Sequence, residues 1–192
     1  MKLLLLVCKG TELLELSAFI DVFGWDRHDN DGDIEIVTCG FTRTVECCFS
    51  VPVTVSVLID DVAVDDYAAL ALPGGFEDYR YYVDAFDEKL LALARDFDSR
   101  GKPIASVCVG ALPLAKSGVL QGRRATTYQL MGGTRFEQLK ELGAIGVRDS
   151  VVVAGNVITS AGPSTAAEVA FELLGMLRTK ADASIVREMM GF

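Results

Sequence analysis

PIASVCVGALPLAK, residues 103–116, passes from a short apolar run to a helix-forming one with a cysteine at the junction. Pro103–Val107 reads as a short buried strand, and Gly110–Lys116 as a short helix ended by Gly118. A nucleophile at such a sharp strand-to-helix turn is thrust above the sheet. Ser106 and Gly110 flank Cys108 symmetrically, and a tight elbow needs small neighbours. A seat near a helix N-terminus predicts that the dipole and free N–H groups favour the thiolate. The alternative reading of this local pattern is a buried, inert cysteine, since Cys is among the most buried residue types.

The same alternation continues on both sides. Lys2–Cys8 predicts a buried strand, and Glu12–Arg27 a helix with Leu13, Leu16, Ile20 and Phe23 on one face. Asp33–Cys39 predicts a strand, and Thr44–Val57 one or two short extended pieces. Ala68–Leu72 predicts a buried strand that stops at Pro73-Gly74-Gly75. Asp84–Arg100 predicts a helix stopped by Gly101. Arg124–Tyr128 predicts a strand, Thr134–Leu142 a helix, and Val151–Ser160 a hairpin turning near Gly155-Asn156. Pro163–Arg178 and Ala181–Met190 predict the last two helices. Strands alternating with helices imply one α/β domain over residues 1–192, with a mostly parallel sheet covered on both faces. In such folds ligands sit beyond the carboxyl ends of the strands, where the strand order reverses. That rule directs attention to the loops after Cys8, Leu72, Val107 and Ser160.

Composition narrows the function classes. The chain has 192 residues, 51% hydrophobic and 23% charged, with a net charge of −9. This excludes a disordered, collagen-like or disulfide-dense chain. It argues against binding nucleic acid or an anionic membrane through charge. The first apolar run, Leu3–Val7, is too short to cross a bilayer, and no later segment approaches roughly 20 apolar residues. Cys8, Cys39, Cys47, Cys48 and Cys108 are odd in number and show no CxxC spacing, so free thiols in a reducing cytoplasm are expected. The single histidine, His28 in WDRHDN, reads as a solvated residue at a helix end. No metal site and no cofactor are expected.

Glu15 is the unusual carboxylate. It lies in the first turns of a helix, in line with Phe19 and Val22, a row that faces protein. Desolvation would raise its pKa and let it share or donate a proton; the plain alternative is an N-terminal Glu serving the helix dipole. Gly74 and Gly75 read either as a loop needing positive φ or as the source of an oxyanion donor, the Gly75 N–H pairing with that of Val109. Tyr79, Tyr81 and Tyr82 read as cover for a loop or interface. Cys47 and Cys48 are adjacent and diverge in an extended chain, and Asp60, Asp61, Asp65 and Asp66 read as a solvated acidic turn.

KGTELLE, ALPGG, ASVCVGALPLA and TSAGPST together resemble the ThiJ/PfpI superfamily in order and spacing, from Leu3 to about Met176. The nearest likeness is to its deglycase branch. The resemblance implies a flavodoxin-like three-layer sandwich with a nucleophile elbow, and usually a homodimer. It implies a reactive Cys108, a carboxylic acid partner at Glu15 and amide donors at Gly75 and Val109. Gly162 and Pro163 match the family's loop beside the cysteine. The chain also departs from the pattern. Val109 stands where many family peptidases have histidine, and Tyr128 where the deglycase branch has one. Trp25 and Phe49 fall where that branch has arginines that help bind anions. A peptidase with a Cys-His dyad is therefore disfavoured. The expectation is a cysteine-dependent enzyme acting on small electrophiles, such as glyoxal-type carbonyls, or a related hydrolase or hydratase. Tyr128 would serve as a hydrogen-bond donor. A redox-responsive stress protein or holdase using Cys108 oxidation is the alternative, and a non-catalytic small-molecule binding module the third reading.

Overall fold

Leu3, Leu4, Leu5 and Leu6 are all buried, at 0–2% exposure. An unbroken apolar run is what a parallel strand covered on both faces requires, and this strand is central in the sheet. The computed structural model describes all residues from Met1 to Phe192. Its strands are β1 Lys2–Leu6, β2 Glu35–Gly40, β3 Thr44–Glu46, β4 Pro52–Thr54, β5 Val57–Leu58, β6 Ala69–Leu72, β7 Ile104–Ser106, β8 Arg124–Ala125, β9 Ile145–Gly146, β10 Val151–Ala154 and β11 Val157–Ser160. Its helices are α1 Leu13–Asp29, α2 Tyr81–Ala85, α3 Glu88–Ser99, α4 Ala111–Lys116, α5 Thr134–Glu141, α6 Ala166–Leu177 and α7 Lys180–Met190.

Seven strands form the main sheet in the order β10-β11-β7-β6-β1-β2-β5. All neighbours are parallel except the β10–β11 hairpin. Helices α1, α6 and α7 pack together on one face, and α2 to α5 cover the other. This is the expected three-layer α/β sandwich. The order reverses at β1, which has β2 on one side and β6 on the other. The crevice therefore opens where β1, β6 and β7 end, and the loops after these strands line it.

Local chemistry explains where elements differ from the sequence expectation. The helix foreseen over Asp84–Arg100 is two helices, α2 and α3. Asp87 separates them as an N-cap, its side chain accepting the Lys89 N–H. Arg124–Tyr128 is strand only at Arg124–Ala125, where it pairs with Ile145–Gly146. Thr44–Val57 forms the β3–β4 hairpin and the start of β5, with a tight turn at Cys48–Ser50 in which Phe49 and Ser50 have φ of 57° and 59°.

On α1, Ile20 is 41% exposed rather than core-facing. The buried stripe is Glu15, Leu16, Phe19, Val22, Phe23 and Asp26, turned toward α6 and α7. Burial of side chains such as Phe19 and Phe23 contributes about 1.5–3 kcal/mol each. Asp26 is tolerated in this stripe because Arg178, just beyond α6, reaches it at 2.5 Å and Asn30 Nδ2 donates to it at 3.0 Å. A buried carboxylate without such partners would be costly.

Candidate active site

Cys108 leaves β7 through an extended Val107 and has φ of 54°. A left-handed backbone at a non-glycine residue costs on the order of 1–3 kcal/mol and needs support from its surroundings. The support is visible. The Gly110 N–H donates to Val107 O at 2.8 Å, and the Val107 N–H to Leu72 O at 3.2 Å. The Thr127 hydroxyl donates to Cys108 O at 2.8 Å. A Cβ on Gly110 would lie 2.5 Å from Leu72 O, so the small flank is a matter of space. Cys108 is the strand-to-helix elbow expected from PIASVCVGALPLAK, and a short three-residue turn, Cys108–Gly110, joins it to α4.

Glu15 is fully buried. The Gly74 N–H donates to its Oε2 at 2.6 Å. A Cβ on Gly74 would stand 3.0 Å from that oxygen, 3.0 Å from Val109 N and 2.9 Å from Val107 O. Glu15, Gly74 and the Cys108 elbow therefore meet in one small volume. Burial pushes the Glu15 carboxyl up to about 8, against the Gly74 hydrogen bond, which favours the ionised form. The nearby charge of Glu12 raises it further, and the Cys108 thiol, close enough to interact, lowers it. The other oxygen, Oε1, is buried and has no partner of full hydrogen-bond geometry.

Burial also raises the Cys108 thiol, the charge of Glu15 adds to this, and the Val109 N–H opposes both. The expected helix-end thiolate is therefore corrected. Helix α4 has six residues, and its dipole does not outweigh desolvation beside a carboxyl group. Thiol and carboxyl act on each other as a coupled pair in which the carboxyl is the more acidic group.

Gly74 and Gly75 do not have positive φ; they are glycines for space. A Cβ on Gly75 would lie 2.3 Å from Gly10 O and 2.5 Å from the Tyr81 ring. The Gly75 N–H meets no protein acceptor. Around it, the Phe76 N–H donates to Gly10 O at 3.0 Å and the Glu12 N–H to Gly74 O at 2.9 Å, which ties the loop after β1 to the loop after β6.

Tyr128 is half-buried, next in chain to Thr127, and its ring lies 3.6 Å from where a Cβ on Gly162 would be. Pro163 opens the turn Pro163–Thr165, whose Thr165 N–H and hydroxyl donate to Gly162 O at 3.0 and 2.7 Å. The structure thus brings Cys108, Glu15, Gly74, Gly75, Val109, Tyr128, Gly162 and Pro163 to the same end of the sheet. His28 stays outside. Its side chain is 84% exposed beside Asp29, at the opposite end of α1 from Glu15. No three His, Cys, Asp or Glu side chains converge to hold a metal ion.

Sequence reasoning missed three supports. Tyr81, read as loop cover, is fully buried and donates its hydroxyl to Pro73 O at 2.8 Å. Asp84, on the same short helix, accepts the Lys9 N–H at 2.9 Å and faces the Lys9 ammonium at 3.6 Å. Helix α2 therefore braces both loops. Thr127 carried no signal beyond a β-branched pair.

Residues 1–176 match the model of the DJ-1/PfpI family. The chain belongs to that family. Among relatives, a deglycase of Pyrococcus horikoshii is 33% identical over 165 residues, covering 85% of this chain and 92% of that protein. An uncharacterised protein of Methanocaldococcus jannaschii is 36% identical over 122 residues, 64% of this chain and 58% of its own length. Among solved structures, Drosophila melanogaster DJ-1beta superposes with a TM-score of 0.85 at 28% identity, over 98% of this chain and 96% of that one. Oxidised Toxoplasma gondii DJ-1 gives a TM-score of 0.80 at 26% identity, covering 98% and 97%.

Proposed function

We propose that this DJ-1/PfpI protein is a cysteine-dependent enzyme acting on small reactive carbonyls, in the manner of a deglycase or glyoxalase, with Cys108 as nucleophile and Glu15 as proton partner. The single observation that carries the reading is a fully buried carboxyl, held by one backbone N–H, against a cysteine on a left-handed elbow. In its singly deprotonated form the pair holds one proton. The sulfur attacks the aldehyde carbon, a C–S bond forms, and the carbonyl π pair moves to oxygen. Glu15 transfers the proton to that oxygen, giving a neutral hemithioacetal and a carboxylate. The N–H groups of Gly75 and Val109 supply donors for the developing oxyanion. Tyr128, a phenol, adds a hydrogen-bond donor. Intact-protein mass spectrometry with methylglyoxal tests the first step. The adduct is expected on Cys108 and absent from Cys108→Ala; an equal adduct on the variant would refute the assignment.

A second reading has Cys108 oxidised as the functional event, in a redox-responsive or holdase role. It is supported by the unpartnered Glu15 Oε1, which in a protonated carboxyl can donate to a sulfinate oxygen. We further propose a homodimer in the cytoplasm. Phe19 and Phe23 are core, and Leu14, Ile20 and Trp25 are large apolar side chains exposed on the outer side of α1. Sedimentation at micromolar protein reads this directly, and monomer alone would contradict it. No helix is long and apolar enough to cross a membrane.

A further inference from the structure

We infer that the pocket over Cys108 selects uncharged electrophiles carrying an aromatic or other apolar group and rejects carboxylates, with Phe49, Phe76 and Tyr79 as its selecting wall. The inference rests on the reading of Cys108 as the nucleophile of this pocket. The three rings form one cluster, with centroids 5.6, 5.7 and 6.3 Å apart and tilted or edge-on geometry. Phe49 is 61% exposed and Phe76 is 41% exposed, so the cluster presents open aromatic surface rather than core. Edge-on aromatic clusters bind further rings through the same quadrupole geometry.

Each ring is anchored to the loop that leads into Glu15. Phe76 follows Gly75 directly, and its N–H donates to Gly10 O at 3.0 Å. Tyr79 packs so tightly on Gly10 that a Cβ there would lie 2.7 Å from Tyr79 O. Phe49 follows Cys48, whose N–H donates to Thr11 O at 3.0 Å and whose thiol reaches Glu12 Oε1 at 3.9 Å. The wall therefore stands beside the free Gly75 N–H, next in chain to Gly74, which packs against Val107 O and Val109 N of the Cys108 elbow.

Charge points the same way. The ionisable groups that act on Cys108 are the carboxyls of Glu15 and Glu12. Two of the cations near these loops are paired: Lys9 with Asp84, and Arg135 with Glu77 and the Tyr82 face. Carboxylate recognition calls for a cationic donor, best a guanidinium, and the charged groups that act on Cys108 are acids.

Alkylation of Cys108 tests the inference without requiring turnover. Rates with iodoacetamide, iodoacetate and phenacyl bromide are followed by peptide mass spectrometry and normalised to each reagent's rate with 2-mercaptoethanol. The expected order is phenacyl bromide over iodoacetamide by about tenfold, the scale of one aromatic contact, and iodoacetamide over iodoacetate by a similar factor. Phe49→Ala should collapse the phenacyl-to-iodoacetamide ratio toward one, and Phe49→Arg should raise the iodoacetate rate. Thermal melts confirm that both variants are folded, as expected for an exposed position. Iodoacetate reacting as fast as iodoacetamide, or a phenacyl preference that survives both Phe49→Ala and Phe76→Ala, would overturn the inference. If the alkylation order holds while neither phenylglyoxal nor methylglyoxal is turned over, the pocket's selectivity stands and the enzymatic reading falls.

Discussion

Gly74 donates its backbone N–H to Glu15 Oε2 at 2.6 Å, joining the end of β6 to the first turns of α1 across 59 residues of sequence. One amide is all that holds this carboxyl; no cation is paired with it. A lone hydrogen bond stabilises the ionised form less than full burial destabilises it. Glu15 therefore keeps its proton into the neutral range, pushed up to about 8. The arrangement fixes a protonated carboxyl beside Cys108 at the expense of stability.

That expense has a sign. Between the ordinary carboxylate value of 4.5 and about 8, folded Glu15 binds a proton that the unfolded chain has released. Wild-type stability should then fall as pH rises through this window, with the whole penalty present above about 8. Glu15→Gln keeps an acceptor for the Gly74 N–H and carries no charge. It should melt roughly 5–10 °C above wild type at pH 9 and close to wild type at pH 4. Equal melting temperatures at pH 9 would show that Glu15 is not a desolvated acid.

Thr127→Val removes the hydroxyl that caps Cys108 O and keeps the side-chain shape. The loss of one buried hydrogen bond costs about 1 kcal/mol, or roughly 2–4 °C in Tm. Turnover should fall several-fold as well, because the elbow's left-handed backbone loses a support. Unchanged stability and rate would remove Thr127 from the account.

Peroxide should oxidise Cys108 before the other cysteines. It is 8% exposed, while Cys8, Cys39, Cys47 and Cys48 lie at 0–1%. Oxidation should quicken as pH rises and more of the buried thiol ionises. Glu15→Leu should yield less stable sulfinate, having no carboxyl to donate to it. Peptide mass spectrometry after graded peroxide reads all three points; oxygen appearing first on Cys48 would contradict the order.

The layers of this fold were legible because buried parallel strands advertise themselves: Leu3–Leu6 and Ala69–Leu72 are unbroken apolar runs, and PIASVCVGALPLAK carries its elbow in plain view. Glu15 was legible too, since its spacing to Phe19 and Val22 put a carboxyl on the buried stripe. Ile20 was misplaced because α1 packs on α6 and α7 through a stripe that includes Asp26, and that stripe needs Arg178 from 152 residues away. No local pattern encodes such a partner. Tyr81 and Asp84 escaped for the same reason: each braces a distant loop, Pro73 for one and Lys9 for the other. The pKa of Cys108 was misjudged because a sequence shows the helix that follows a residue but not the depth at which it is buried.

The central claim is that Cys108 and Glu15 act together on a reactive carbonyl. The most direct measurement is steady-state conversion of methylglyoxal and phenylglyoxal to their 2-hydroxy acids by wild type, Cys108→Ala and Glu15→Gln, from pH 6 to 9. The account predicts turnover by wild type that rises as pH approaches about 8, none by Cys108→Ala, and for folded Glu15→Gln a loss of at least about a hundredfold, the scale of one general acid–base group. Wild-type activity retained by Cys108→Ala, or a Glu15→Gln variant with an unchanged rate and pH profile, would contradict it.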